Sequence, residues 1–138
     1  MALGRASGCQ SPVKVFPAIA TVLKEPWWAV LLVKPQFEAG RELVGPRGVV
    51  RDPGVHVGVL EAVAGGLARL GWPARGLTYS PVRGPEGNLE YLLLLARGPA
   101  AAGPGLQGTR EEAASGGVTR VLVERVVADA FATLTGKS

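Results

Sequence analysis

Apolar residues along this chain come in short, separately punctuated segments, and their spacing changes character from one segment to the next. Val13, Phe16, Ile19, Ala20 and Leu23 recur at helical spacing behind Ser11-Pro12, a pair that reads as an N-cap followed by a first-turn proline. Pro17 removes an amide from that helix and predicts a kink, and Lys24-Glu25-Pro26 predicts its end. Trp28-Ala29-Val30-Leu31-Leu32-Val33 has no polar break. Short and partly β-branched, it predicts a strand covered on both faces and central in its sheet.

Lys34 closes that strand, and the loop from Pro35 to Arg51 carries Arg41, Arg47 and Arg51 among several glycines, which predicts a mobile, basic connection. Asp52-Pro53 repeats the cap-plus-proline signal. Val59, Leu60, Val63, Leu67 and Leu70 then define one face of a second helix, ended by Gly71 and Pro73. Arg75 to Ser80 predicts a short strand, and strand, helix, strand is the unit that builds parallel sheets by crossover. The loop from Pro81 to Asn88 is too short for another crossover helix, so the strand Leu89 to Leu95 should return antiparallel. Val118 to Leu134, with Val121, Leu122, Arg125, Val126 and Phe131, predicts a terminal amphipathic helix. The fold class is α/β: a partial Rossmann-like sheet of two parallel strands plus a C-terminal antiparallel strand, flanked by helices.

Composition sets the frame around these elements. The chain has 138 residues, 47% of them hydrophobic, enough for one continuous core. Its expected organisation is a disordered lead-in at 1–10, the α/β unit at 11–97, a Gly/Ala/Pro-rich linker at 98–117 and the terminal helix at 118–138. Fifteen Lys plus Arg against 11 Asp plus Glu give a net charge of +4, which suits a polyanionic partner, nucleic acid in preference to a membrane. The single cysteine, Cys9, excludes an internal disulfide and a thiolate metal cluster and points to a reducing, cytoplasmic setting. The longest apolar run, Trp27 to Val33, is far short of a spanning helix.

Chemistry gathers at the carboxyl ends of parallel strands in open α/β sheets, and Lys34 sits at such an end. If the Arg75–Ser80 strand ends at the same edge, the returning strand begins there and brings Glu90 beside Lys34. Glu90 adjoins a tyrosine and a run of leucines, where ionisation is costly without a nearby cation. A solvent-facing lysine and a purely structural Lys–Glu pair both fit this placement. The chemical alternative is a lysine that takes or orients the proton of a hydroxyl nucleophile. Free lysine, with a pKa of about 10.4, is a poor base at neutral pH, so such a role needs several residues acting together.

Three stretches carry a family resemblance: Leu32-Val33-Lys34-Pro35-Gln36-Phe37-Glu38-Ala39-Gly40-Arg41-Glu42; Gly48-Val49-Val50-Arg51-Asp52-Pro53 with Val55-His56; and Gly76-Leu77-Thr78 through Ser80-Pro81 to Gly84-Pro85-Glu86-Gly87-Asn88. In this order and spacing they resemble the hemolysin-like TlyA family of ribosomal RNA 2′-O-methyltransferases, related to FtsJ-type enzymes. The resemblance implies a Rossmann-like domain that transfers a methyl group from S-adenosylmethionine to a ribose 2′-hydroxyl of rRNA through a Lys-Asp-Lys-Glu tetrad. Lys34 matches the second lysine, the implied proton acceptor, and Glu90 the final glutamate that positions it. The family also sets the last strand between the two parallel ones.

The departures shape the expectation equally. The family's RNA-binding S4 domain, first lysine, glycine-rich cofactor loop and aspartate have no counterpart here, and Gly65-Gly66 lies inside a helix rather than in a turn after a strand. The chain is expected to hold the C-terminal half of the methyltransferase domain, with no cofactor-binding residues of its own and little activity alone. An exposed flank on its buried strand makes a dimer or a complementing N-terminal half the expected partner, beside ribosomal RNA. Arg41, Arg47 and Arg51 are candidate phosphate contacts. His56 reads as a packing or capping residue, Trp27 and Trp28 as core, and no metal site is implied. The competing reading is a non-catalytic α/β remnant that binds RNA or protein through its basic loop.

Overall fold

The structure, a computed structural model, describes residues 11–98 and 118–135. The lead-in and the linker from residue 99 onward lie outside them. Both cap-plus-proline signals start helices: α1 spans Pro12–Ala20 behind Ser11, whose hydroxyl accepts from the Val13 amide, and α3 spans Pro53–Arg69 behind Asp52, whose carboxylate accepts from the Gly54 amide. Between them lie β1 (Trp27–Val33), a single-turn helix α2 (Pro35–Glu38) and two 3-10 turns, Arg41–Leu43 and Pro46–Gly48. After α3 come β2 (Gly76–Tyr79), β3 (Tyr91–Arg97) and α4 (Arg120–Leu134).

The fold is α/β around one three-stranded sheet of order β1-β3-β2, in which β3 is antiparallel to both neighbours. β1 and β2 therefore run the same way but never pair, and no parallel ladder exists among the described residues. The expectation that β1 is central is corrected: β3 occupies the centre and β1 lies at the edge. Its burial alternates, with Trp27 and Val33 buried while Trp28, Val30 and Leu32 are exposed, so the strand is covered on one face only. A continuous apolar run does not distinguish the two positions; the leucines of β3, flanked on both sides, are the better-covered set.

The core lies on the odd-numbered face of the sheet. Leu77, Tyr91, Leu93 and Leu95 meet Leu60, Val63 and Leu67 of α3 and Leu122, Val123, Val126 and Val127 of α4, while Phe16 of α1 packs its ring on Trp27 and Trp72. In α4 the buried stripe is offset by one position from the expected face, so Val121 is exposed and Val123 buried. Trp28, expected in the core, is half exposed because it points to the opposite sheet face.

Candidate functional site

The ladder between β1 and β3 pairs Val33 with Tyr91, and the next row in the same register is Lys34 opposite Glu90. On the other side Tyr79 pairs with Tyr91, and the Ser80 amide donates to the Glu90 carbonyl at 2.8 Å. Lys34, Glu90 and Ser80 thus form one row across the end of the sheet, on its even-numbered face, because directly opposed residues share a face. Lys34 keeps an extended backbone and doubles as the N-cap of α2. Its Nζ lies 5.7 Å from the centre of the exposed Phe37 ring.

Glu90 is buried, only 8% exposed, yet among the described residues it forms no ion pair, so the cation expected at its side is across the row rather than in contact. Its carboxylate lies against Gly84: a Cβ added there would stand 2.6 Å from Oε2. Gly84 is held by its amide's bond to the Asn88 carbonyl, which closes the turn that delivers Glu90 to the row.

The arginine loop contains two 3-10 turns and is tied to the rest of the fold by side-chain hydrogen bonds. Asn88, 2% exposed, accepts from the Val50 amide through Oδ1 at 3.0 Å and donates through Nδ2 to the Gly48 carbonyl at 2.8 Å. His56, fully buried in α3, sits 2.8 Å from the Val50 carbonyl through Nε2 and 2.8 Å from the Tyr91 hydroxyl through Nδ1. A carbonyl only accepts, so Nε2 carries the proton and Nδ1 accepts from Tyr91. Burial lowers the His56 pKa and raises that of the Tyr91 phenol, keeping the ring neutral and the hydroxyl protonated. Arg41, Arg47 and Arg51 are all exposed, and Arg47 adopts a left-handed φ of 63°. Arg51 also lines a cavity of about 300 Å³ with Arg83, Glu86 and Phe131.

Sequence reasoning placed Lys34 and Glu90 at one edge and the structure sets them in one row; it treated His56 as structural and missed both its Tyr91 partner and the Asn88 amide that bonds the same Val50 segment. The signal for Asn88 was an amide immediately before a buried strand. Among the described residues no group of His, Cys, Asp and Glu is placed to hold a metal, and no helix is long and apolar enough to cross a membrane.

The fold is a small α/β sheet in which Lys34, opening the Lys-Pro-Gln-Phe-Glu turn, shares a row with Glu90, and residues 7–97 match the FtsJ-like methyltransferase family. The chain belongs to that family, with TlyA rRNA methyltransferases and hemolysins as its homologues. It is 40% identical over 123 residues to YqxC of Bacillus subtilis, covering 89% of this chain and 40% of that protein. It is 46% identical over 81 residues to the 16S/23S rRNA (cytidine-2'-O)-methyltransferase TlyA of Mycobacterium tuberculosis, covering 59% of this chain and 30% of the relative. A solved hemolysin-type structure from Streptococcus thermophilus superposes with a TM-score of 0.71 at 33% identity, covering 89% of this chain and 39% of that one. The chain thus spans between 30% and 40% of the length of these curated relatives.

Proposed function

We propose that this chain forms the part of an rRNA 2′-O-methyltransferase that carries Lys34 and Glu90 as catalytic residues and Arg41, Arg47 and Arg51 as contacts to the RNA backbone. The observation that carries the reading is the row itself: a lysine and a glutamate stand opposite each other on neighbouring strands, on the sheet face that no helix covers among the described residues. A ribose seated over that row would present its 2′-hydroxyl to Lys34 Nζ, which takes the proton. Glu90 then balances the charge the amine gains and restricts its orientation.

S-adenosylmethionine is the methyl donor the family implies, and the described residues do not fit it. Among the described residues no glycine-rich turn leads from a strand onto a helix N-terminus: β1 runs through Lys34-Pro35 into α2, β2 runs into the turn at Gly84, and α3 opens on the carboxylate of Asp52, which would oppose an anionic or carboxylate group there. On this reading the donor is held outside the described residues, by a complementing segment or a second chain, and the working location is the cytoplasm, where ribosomal RNA is found.

A second reading, RNA binding without catalysis, is favoured by the exposed arginines on their pinned loop. One comparison separates the two. With the chain complemented by the cofactor-binding segment of a relative, Lys34→Ala is expected to lower methyl transfer by about 10²–10⁴-fold with RNA affinity retained. A Lys34→Ala variant that weakens RNA binding and leaves the turnover of bound RNA unchanged supports the binding module instead.

A further inference from the structure

We propose that Asn88, with His56 and Tyr91 behind it, is a positioning device that presents Arg47 and Arg51 to an RNA backbone; the inference rests on the RNA-binding reading above. The two arginines flank the three-residue segment Gly48-Val49-Val50. Both bonds of the Asn88 amide grip that segment, one at the Gly48 carbonyl and one at the Val50 amide. The amide can face only one way, since the reverse would set donor against donor and acceptor against acceptor. His56 takes the Val50 carbonyl, so both polar groups of the Val50 backbone are committed, one to a loop residue 38 positions on and one to a helix residue six positions on.

A second, independent observation points to presentation rather than simple closure of a loop. Arg47 holds a φ of 63°, a region L-residues other than Asn and Asp seldom occupy, and Gly48 follows at 74°. The turn is further closed by bonds from the Gly45 amide to the Val49 carbonyl and from the Gly48 amide to the Gly45 carbonyl. Arg47 does not itself need to be an arginine for this turn to form, and a glycine or asparagine would adopt it with less strain. Strain retained at an exposed, charged side chain in an over-determined loop fits a residue held out for a ligand.

The chemistry of that ligand follows from the groups presented. Arg47 and Arg51 are exposed on this hydrogen-bonded segment, at the sheet end where Glu90 enters its row two residues after Asn88. Two guanidinium groups carried on one bonded segment suit the phosphates of a single strand, leaving a sugar between them to reach the Lys34–Glu90 row. The network thereby couples grip on the backbone to placement of the ribose.

The test is a mutant cycle read by fluorescence anisotropy with a labelled oligouridylate at several salt concentrations, at a temperature where circular dichroism shows every variant folded. Removing both arginines (Arg47→Ala with Arg51→Ala) is expected to reduce the salt slope of log K by about 2, one for each phosphate contact. Asn88→Ala is expected to reduce it in the same direction by about 1 or more, although it removes no charge. In the arginine-less background the same Asn88 change is expected to alter affinity by less than about twofold, because its effect runs through the arginines. Tyr91→Phe, which keeps the core packing and takes only the hydroxyl, gives a smaller loss with the same dependence. An Asn88→Ala slope equal to wild type, or an equal loss with and without the arginines, overturns the inference alone. Equal slopes for wild type and the arginine-less variant overturn the RNA-binding reading and the inference with it.

Discussion

Acidification through the range in which a free histidine titrates strikes the buried network at one atom. His56 is fully buried, its Nε2–H given to the Val50 carbonyl and its Nδ1 accepting from Tyr91, and burial is the leading cause of its lowered pKa. In the unfolded chain the ring takes up a proton near about pH 6.5, whereas in the folded chain it does so only at lower pH. Between those two values the unfolded state binds more protons. Stability is therefore complete above the unfolded pKa and falls with pH toward the folded one, by up to about 1.4 kcal/mol per pH unit for a single proton. Protonation would also put an N–H against a hydroxyl that now donates, so Tyr91 must turn its hydrogen toward an apolar neighbourhood. A loss of about 1 kcal/mol corresponds to a fall of about 3–5 °C in Tm for a chain of this size. Glu38 works in the opposite sense: burial raises its pKa, so its contribution grows as pH falls. The assay is accordingly a difference, thermal denaturation of wild type and His56→Gln across neutral to mildly acidic pH. The wild type should lose stability on acidification while the variant, less stable at the outset, shows a flatter or reversed dependence. Parallel curves for the two proteins would refute the reasoning.

Other outcomes follow from the same geometry. Leu93→Ala, at a 1% exposed position in the central strand, should destabilise the fold by about 2–5 kcal/mol, read from the shift in urea midpoint. Gly84→Ala places a methyl 2.6 Å from Glu90 Oε2, and the flexible carboxylate should move aside, leaving Tm nearly unchanged. Methyl transfer by the complemented chain should nevertheless fall by about tenfold to a hundredfold, since small misplacements are expensive at a reacting centre. Calorimetric titration of this chain alone with S-adenosylmethionine should show no stoichiometric binding, and a saturable one-to-one isotherm would contradict the account of its missing cradle.

Much of the fold was legible because local signals agreed with each other. Ser11-Pro12 and Asp52-Pro53 opened helices as their cap chemistry predicts, and the short Pro81–Asn88 turn forced an antiparallel return. Placement across the sheet was less legible. The run Trp28–Val33 satisfies a central strand and an edge strand equally, and only the insertion of β3 beside it decides the matter. The face of α4 shifted because Leu122-Val123 and Val126-Val127 offer two adjacent apolar stripes, and contact with β2 and α3 selects between them. At the site, Lys34 and Glu90 could be found from strand ends and family pattern. The network behind them could not, since His56 and Asn88 find their partners at sequence separations of 35 and 38 residues, beyond any local rule.

The central claim is that the Lys34–Glu90 row performs the proton chemistry of methyl transfer to a ribose. The most direct test maps the product: ribosomal RNA treated with the complemented chain and a labelled methyl donor, digested to nucleosides and resolved by mass spectrometry. The account predicts 2′-O-methylated nucleoside from wild type, its near-disappearance for Lys34→Ala and for Glu90→Gln, and RNA affinity within about twofold for all of them. Label on a base rather than a ribose, or undiminished 2′-O-methylation by Lys34→Ala, would contradict it.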